Sequence, residues 1–259
     1  REVRTFRERR IGDRVYGARY WAGSRRQALV QALHHTAHRS AFKKRLIEQP
    51  LMQNVLADMA IEVEAALALG LRVASAMDHS DEPDEAALAR IGTAIAKYWN
   101  TKRCPYLVFE ALECHGGPGY IEESIMPRLY REAPLNSIWE GSGNVIGLDV
   151  LRVISREPEV VWVFMAEVEK ARGSDANLDR IIDDLHGELK NPDGMEIRMR
   201  MITEMMELAL KGALLTQHAA GDVAKAFCAS RLAPRYRGAF GTLPPGCDLD
   251  AIIARATPG

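Results

Sequence analysis

The chain has 259 residues, 47% of them hydrophobic, which is enough for a sizeable core in one large domain or two small ones. Its 34 Lys and Arg against 35 Asp and Glu leave a formal net charge of −1, which excludes a whole-molecule field drawing it onto nucleic acid or an anionic membrane; such binding would need a local patch. Apolar stretches such as 160–165 are far shorter than a membrane span, and charged residues occupy the place of a signal peptide's apolar run, so the chain reads as cytoplasmic with no membrane partner.

Residues 1–26 are crowded with arginine and weak in apolar period, and read as a loose, poorly packed arm rather than core. From Gln27 the pattern turns helical: Leu29, Val30 and Leu33, then Leu51, Val55, Met59, Val63 and Leu67 recur at spacings of three and four. Pro50 suits the first turn of that second helix, where its missing N–H costs nothing. The acidic stretch 79–85 breaks the pattern, and its carboxylates suit the positive N-terminal end of the next helix, which carries Leu88, Ile91, Ile95, Tyr98 and Trp99 on one side. Pro105 predicts a kink or interruption, and Gly116-Gly117-Pro118-Gly119 a loop that no helix survives.

Beyond that loop, Val145 to Ile154 reads as a helix ending at Glu157-Pro158. Leu178, Ile181, Ile182, Leu185 and Leu189 form an apolar stripe, and Asn191-Pro192-Asp193-Gly194 marks a turn before a long helix through Met195, Met199, Ile202, Met206, Leu210 and Leu214. Methionines at helical spacing read as core rather than as a soft binding surface. The tail 232–249 is irregular and a short helix at 249–256 closes the chain. With no convincing β-branched alternation anywhere, the fold class is all-α. Cys104, Cys114, Cys228 and Cys247 lie far apart with no CxxC pair, and read as buried or inert thiols rather than disulfides or zinc ligands.

Two clusters carry chemistry. In the first, 131–144, glycines allow close backbone approach to a ligand and the N–H groups of the following helix attract anions, while Glu140, between a bulky aromatic and a glycine, suits a dry pocket that raises a general base's pKa. A solvated surface residue is the plainer reading of a lone Glu in a loop. The second, 113–120, is a glycine-rich turn that by itself needs to be no more than a tight reversal between helices; His115 beside Cys114 is too little for a metal site.

Together these clusters resemble the acyl-CoA dehydrogenase family. The anchors are Arg39-Ser40-Ala41-Phe42, Leu56-Ala57-Asp58-Met59-Ala60, Glu113 to Gly119, Arg128-Leu129-Tyr130-Arg131-Glu132-Ala133 and Trp139-Glu140-Gly141-Ser142, in that order. Gln49-Pro50-Leu51-Met52, Gly119-Tyr120-Ile121-Glu122-Glu123-Ser124 and 136–144 running into Leu148-Asp149-Val150-Leu151-Arg152 are similar to its AidB-like, alkylation-response branch, as is the long helical extension after Ile154. The resemblance implies a C-terminal helical bundle domain over 27–156 and an AidB-like extension over 157–259, with 1–26 matching poorly. It implies FAD as cofactor, an acyl-CoA thioester as substrate, a homo-oligomer (a tetramer in the family) and, through the branch, double-stranded DNA as a further partner.

Residue by residue, the resemblance makes Glu140 the base that removes a proton from the carbon next to the thioester carbonyl, while a hydride leaves the neighbouring carbon for the flavin. Ser142 and Asn144 correspond to polar residues touching FAD, and Trp139 to the aromatic lining its pocket. Arg39, Phe42, Glu113, Gly116 and Gly117 match positions that reach the FAD of an adjacent subunit. Three departures stand out: Lys43 replaces the glycine usual after the Phe, Pro50 stands where many members have a flavin-contacting Gln, with Gln49 a displaced substitute, and Glu113 stands where many have Gln. The N-terminal helical and middle β domains that precede this region in the family do not occur within the 259 residues, so a DNA-binding flavoprotein with little dehydrogenase activity and an inactive helical domain stand as alternatives. The DNA reading draws on Arg231, Arg235 and Arg237, and is offset by Asp175, Asp179, Asp183 and Asp184.

Overall fold

The computed structural model describes residues 23–234 and 238–258. Most of the arginine-rich segment lies outside them, as do Arg235 and Arg237. The first described helix, α1, runs over 23–38 and so takes in the last residues assigned to the loose arm; Arg25 is fully buried. A small hairpin follows, in which β1 (Ser40–Ala41) pairs antiparallel with β2 (Lys44–Arg45), an element with no periodic signature in the sequence. Its two turn residues, Phe42 and Lys43, both have positive φ (53° and 68°), the combination a tight two-residue hairpin turn demands and one that favours glycine.

After a 3-10 turn at Leu46–Glu48 come the two longest helices, α2 (Pro50–Asp78) and α3 (Pro83–His115), each opened by a proline in its first turn. In α2, Met59 and Val63 are buried but Leu51 and Leu67 are exposed. The reason is geometric: a strict every-fourth-residue series rotates by about 40° per step around a helix of 3.6 residues per turn, so the two ends of the series leave the buried face. Pro105 does not interrupt α3. That helix packs against α2 and, from later in the chain, the helices Gly143–Arg156, Pro158–Glu169 and Met195–His218, and this enclosure overrides the local cost of one missing N–H. Gly116 ends it at φ 64°, and Gly117–Tyr120 forms one further helical turn, α4, where a plain loop was expected.

Then follow α5 (Met126–Glu132), a 3-10 turn (Ala133–Ser137), α6 (Gly143–Arg156), α7 (Pro158–Glu169), α8 (Ala176–Lys190), α9 (Met195–His218), α10 (Gly221–Phe227) with a π turn at Cys228–Leu232, and α11 (Leu249–Ala256). The apolar stripe of α8 (Leu178, Ile182, Leu185) and the methionines of α9 (Met195, Met199, Met206) are core, as their spacing predicts. The four cysteines are free; Cys104, Cys114 and Cys228 are buried, and burial pushes the Cys114 thiol up to about 12, helped by Glu110 and Glu113. No described helix is long and apolar enough to cross a membrane.

The extension is fastened to α1–α3 by charge as well as by apolar contact. Glu62 on α2, 2% exposed, faces Arg25 of α1 (3.7 Å), Arg103 of α3 (3.6 Å), Lys211 of α9 (3.7 Å) and Arg231 of the π turn (3.3 Å). Arg231 also pairs with Asp58, and Lys211 with Glu207 at 2.9 Å, whose carboxylate accepts the Trp99 N–H at 2.8 Å. Asp58 and Asn54 of α2 pin the irregular tail by accepting the amide hydrogens of Gly241 (2.9 Å) and Leu243 (3.0 Å). Charges buried this deeply persist only when each has counter-charges or hydrogen bonds around it.

Candidate active site

The segment 138–142 is a turn seated on the middle of α3. Glu140 has φ 55° and Gly141 φ 111°, so the chain reverses through two left-handed residues before Ser142 opens α6. Gly143 lies so close to α3 that a Cβ there would come within 2.9 Å of Lys102 Cε and Nζ and 3.4 Å of the Tyr98 ring. From below, the Lys97 ammonium donates to the Trp139 carbonyl at 2.5 Å and to the Gly141 carbonyl. Ser142 makes no side-chain cap bond; its carbonyl accepts the Ile146 N–H at 2.9 Å, and the first N–H groups of α6 point out of the turn. Asn144 accepts a hydrogen bond from Arg200 of α9 at 3.1 Å, so the extension touches this turn directly.

The sequence left two readings of Glu140 open, a dry pocket and the plainer one of a solvated surface residue. Among the described residues there is no dry pocket: Glu140 is exposed, and Trp139 beside it is 48% exposed. Among the described residues, α3 lies beneath the turn and the turn's outer side is exposed. Any wall that dries this carboxylate must come from elsewhere.

The second group gathers where α1 and α3 end together. His35 of α1 and His115 of α3 lie ring against ring, 4.7 Å between centroids, and burial, then His115, Arg39 and His34, lowers the His35 pKa. Around this contact stand Arg39 and Glu113, both exposed, and Gly116 and Gly117, with open space where a Cβ would project. Phe42, at the tip of the hairpin, is 93% exposed. Gln49 is half-buried and donates to the Ala41 carbonyl at 3.2 Å, bracing the hairpin rather than pointing free.

The two groups do not meet. Along the axis of α3, Lys97 and His115 are separated by about 27 Å at 1.5 Å per residue. The structure thus brings Trp139, Glu140, Ser142 and Asn144 together at one place and Arg39, Phe42, Glu113, Gly116 and Gly117 at another. Lys97 was missed at the sequence level, although a lysine among the apolar residues Ile95, Ala96 and Tyr98 was the available signal.

Comparison with known proteins bears on both groups. The family profile described as acyl-CoA dehydrogenase, C-terminal domain, matches residues 12–155. AidB of Escherichia coli (strain K12) is 41% identical over 203 residues, which cover 78% of this chain and 37% of AidB. The crystal structure of Caenorhabditis elegans ACDH-11 in complex with C11-CoA superposes with a TM-score of 0.74 at 26% identity, covering 83% of this chain and 42% of that one. A Bacillus anthracis acyl-CoA dehydrogenase complexed with FAD shares the fold at a TM-score of 0.64 and 19% identity, over 85% of this chain and 46% of its own. This chain therefore spans less than half the length of each. The all-α architecture, the ordered motifs along α1–α6 and the profile match converge: the chain belongs to the acyl-CoA dehydrogenase family, whose C-terminal helical domain it contains, and its likeness is to the AidB type.

Proposed function

We propose that this chain forms the helical wall of an FAD-dependent acyl-CoA dehydrogenase site in which Glu140 is the base. One observation carries the reading: an exposed glutamate whose backbone, at positive φ, is held between two carbonyls clamped from α3 and set at the N-terminus of α6. A general base needs fixed geometry toward one C–H bond, and the clamped turn supplies it.

The residues present suit a flavin at two edges. Trp139 offers an exposed aromatic face, Ser142 a hydroxyl not spent on capping, and the start of α6 unpaired N–H groups for an anion. About 27 Å away, Arg39 offers a guanidinium suited to a pyrophosphate, Phe42 an exposed ring, and Gly116-Gly117 a backbone that a ligand can approach. That separation supports assigning the second edge to the flavin of a neighbouring copy, and hence a homo-oligomer. When bound, FAD supplies the acceptor for the hydride from the β-carbon. Glu140 takes the α-proton, and its own backbone N–H polarises the thioester carbonyl.

Of the arginines that the DNA reading draws on, the one among the described residues, Arg231, gives it no support. Arg231 is buried against Asp58 and Glu62 and is withdrawn from any phosphate. Arg172 and Arg180 are paired with Asp183 and Asp184, while Asp175 caps α8 and Asp179 accepts the Gly173 N–H.

The test is to titrate the purified chain with FAD, follow the visible flavin band, and then add an acyl-CoA. Uptake followed by bleaching, with Glu140→Gln slowing the bleaching at least about 100-fold, is the expected result. A chain that takes up no FAD leaves the inactive-domain alternative standing, and equal bleaching in the variant removes Glu140 as the base.

A further inference from the structure

We infer that Lys97 is a positioning residue for Glu140: its buried ammonium clamps the two carbonyls that flank the base and so holds the base's backbone in its left-handed conformation. The inference rests on the reading of Glu140 given above.

Lys97 is 1% exposed in the middle of α3, where an ammonium is costly unless it is hydrogen-bonded. Its bonds go to the main-chain carbonyls of Trp139 and Gly141, the residues on either side of Glu140. Glu140 itself sits at φ 55°, where an L-residue is disfavoured, and Gly141 at φ 111°. Such a turn persists only where its surroundings over-determine it. Charge-assisted hydrogen bonds are the strong kind, and two of them from one cation fix both ends of the strained unit. On the same stretch of α3, a Cβ at Gly143 would meet the end of the Lys102 side chain at 2.9 Å and the Tyr98 ring at 3.4 Å. The same stretch of α3 thus sets the height of the turn, and Lys97 sets the direction of the two peptide planes around the base.

A merely structural lysine would also be buried and bonded, so the test must separate holding the turn from serving the base. In the isotopically labelled 259-residue chain, the Lys97 ammonium should give a slowly exchanging signal with couplings across its hydrogen bonds to the Trp139 and Gly141 carbonyl carbons. Lys97→Met should speed hydrogen exchange of the Trp139 and Ile146 amides, whose N–H groups are bonded to the Leu135 and Ser142 carbonyls on either side of the clamp, at least about tenfold, with the amides of α9 unchanged. Lys97→Arg, which keeps a cation with several donors, should recover part of that protection. In the FAD-loaded chain, Lys97→Met should lower the bleaching rate constant at least about tenfold while leaving the half-saturating acyl-CoA concentration unchanged.

Missing couplings in the unsubstituted chain overturn the inference even if Lys97→Met fails to fold, and so does unchanged exchange in a folded Lys97→Met. Faster exchange with undiminished bleaching also overturns it, provided Glu140→Gln is inactive. If Glu140→Gln bleaches normally, the assignment of the base falls instead, and the exchange data tell that failure apart from a failure of the clamp.

Discussion

Replacing Glu62 by Gln tests whether the buried ion cluster is what binds the extension to α1–α3. The carboxylate is nearly inaccessible and faces four cations at 3.3–3.7 Å, two of them, Lys211 and Arg231, from the extension. Gln keeps the volume and removes the charge, leaving Asp58 and Glu207 to balance Arg25, Arg103, Lys211 and Arg231. Removing one partner of a buried pair costs about 3–5 kcal/mol, and four pairs sharing one anion do not add. At about 2–4 °C per kcal/mol for a chain of this size, that is a fall of roughly 6–20 °C in Tm. The neighbouring Glu64, paired on the surface with Arg255 at 2.8 Å, is the internal control, and Glu64→Gln should cost about 1 kcal/mol or less. Urea titrations followed by far-ultraviolet circular dichroism, with slopes compared, give both values. A Glu62→Gln cost within about 1 kcal/mol of the control refutes the reasoning, because the cluster would then be no more than a tolerated burial.

The pH dependence has a definite sign. Burial pushes the Glu62 carboxyl up, but Arg103, Lys211, Arg231 and Arg25 together outweigh it and hold the group below its ordinary 4.5. Its contribution is therefore full above pH 4.5 and is lost as the pH falls toward the lowered value, so the stabilities of parent and Glu62→Gln should converge in acid. Parallel acid limbs would contradict this. At the hairpin tip, Lys43→Gly should raise stability by about 1 kcal/mol, since φ 68° suits glycine; an unchanged urea midpoint argues against the strain. Glu140→Gly should likewise stabilise by about 1 kcal/mol while ending flavin bleaching, and loss of both stability and bleaching would mean that its left-handed backbone carries no strain. Gly119→Ala drives a Cβ to 2.4 Å from the Leu112 carbonyl oxygen, so a loss of about 1–3 kcal/mol is expected in thermal melts. A neutral result would show that α4 shifts freely.

The helices were legible because their apolar residues recur at three and four, and their ends were legible at Pro50, Pro158 and Gly194, whose backbone preferences are local. What escaped was set by three-dimensional enclosure. Pro105 reads as a break because the sequence does not show that α3 is surrounded, and Leu51 and Leu67 belong to one apolar series yet lie exposed because periodicity does not reveal how far a stripe drifts. The site was legible as motifs and not as geometry: Glu140 was named from its neighbours, yet its exposure depends on what lies above the turn. Lys97 and Glu62 are single charges inside apolar runs, a pattern that marks a buried ion only once its partners from other helices are in place.

The profile match ends at Ser155, but the physical unit does not end there. Glu62 sits within the matched region and takes two of its four cations from beyond it, so the acid at 62 and the extension are coupled through the buried cluster. Loss of the extension by deletion or recombination would strand an anion in the core with half its counter-charges gone, and the first compensating change favoured would be at position 62 itself. The extension is thus held in place by an electrostatic debt incurred at a residue that precedes it by about a hundred positions.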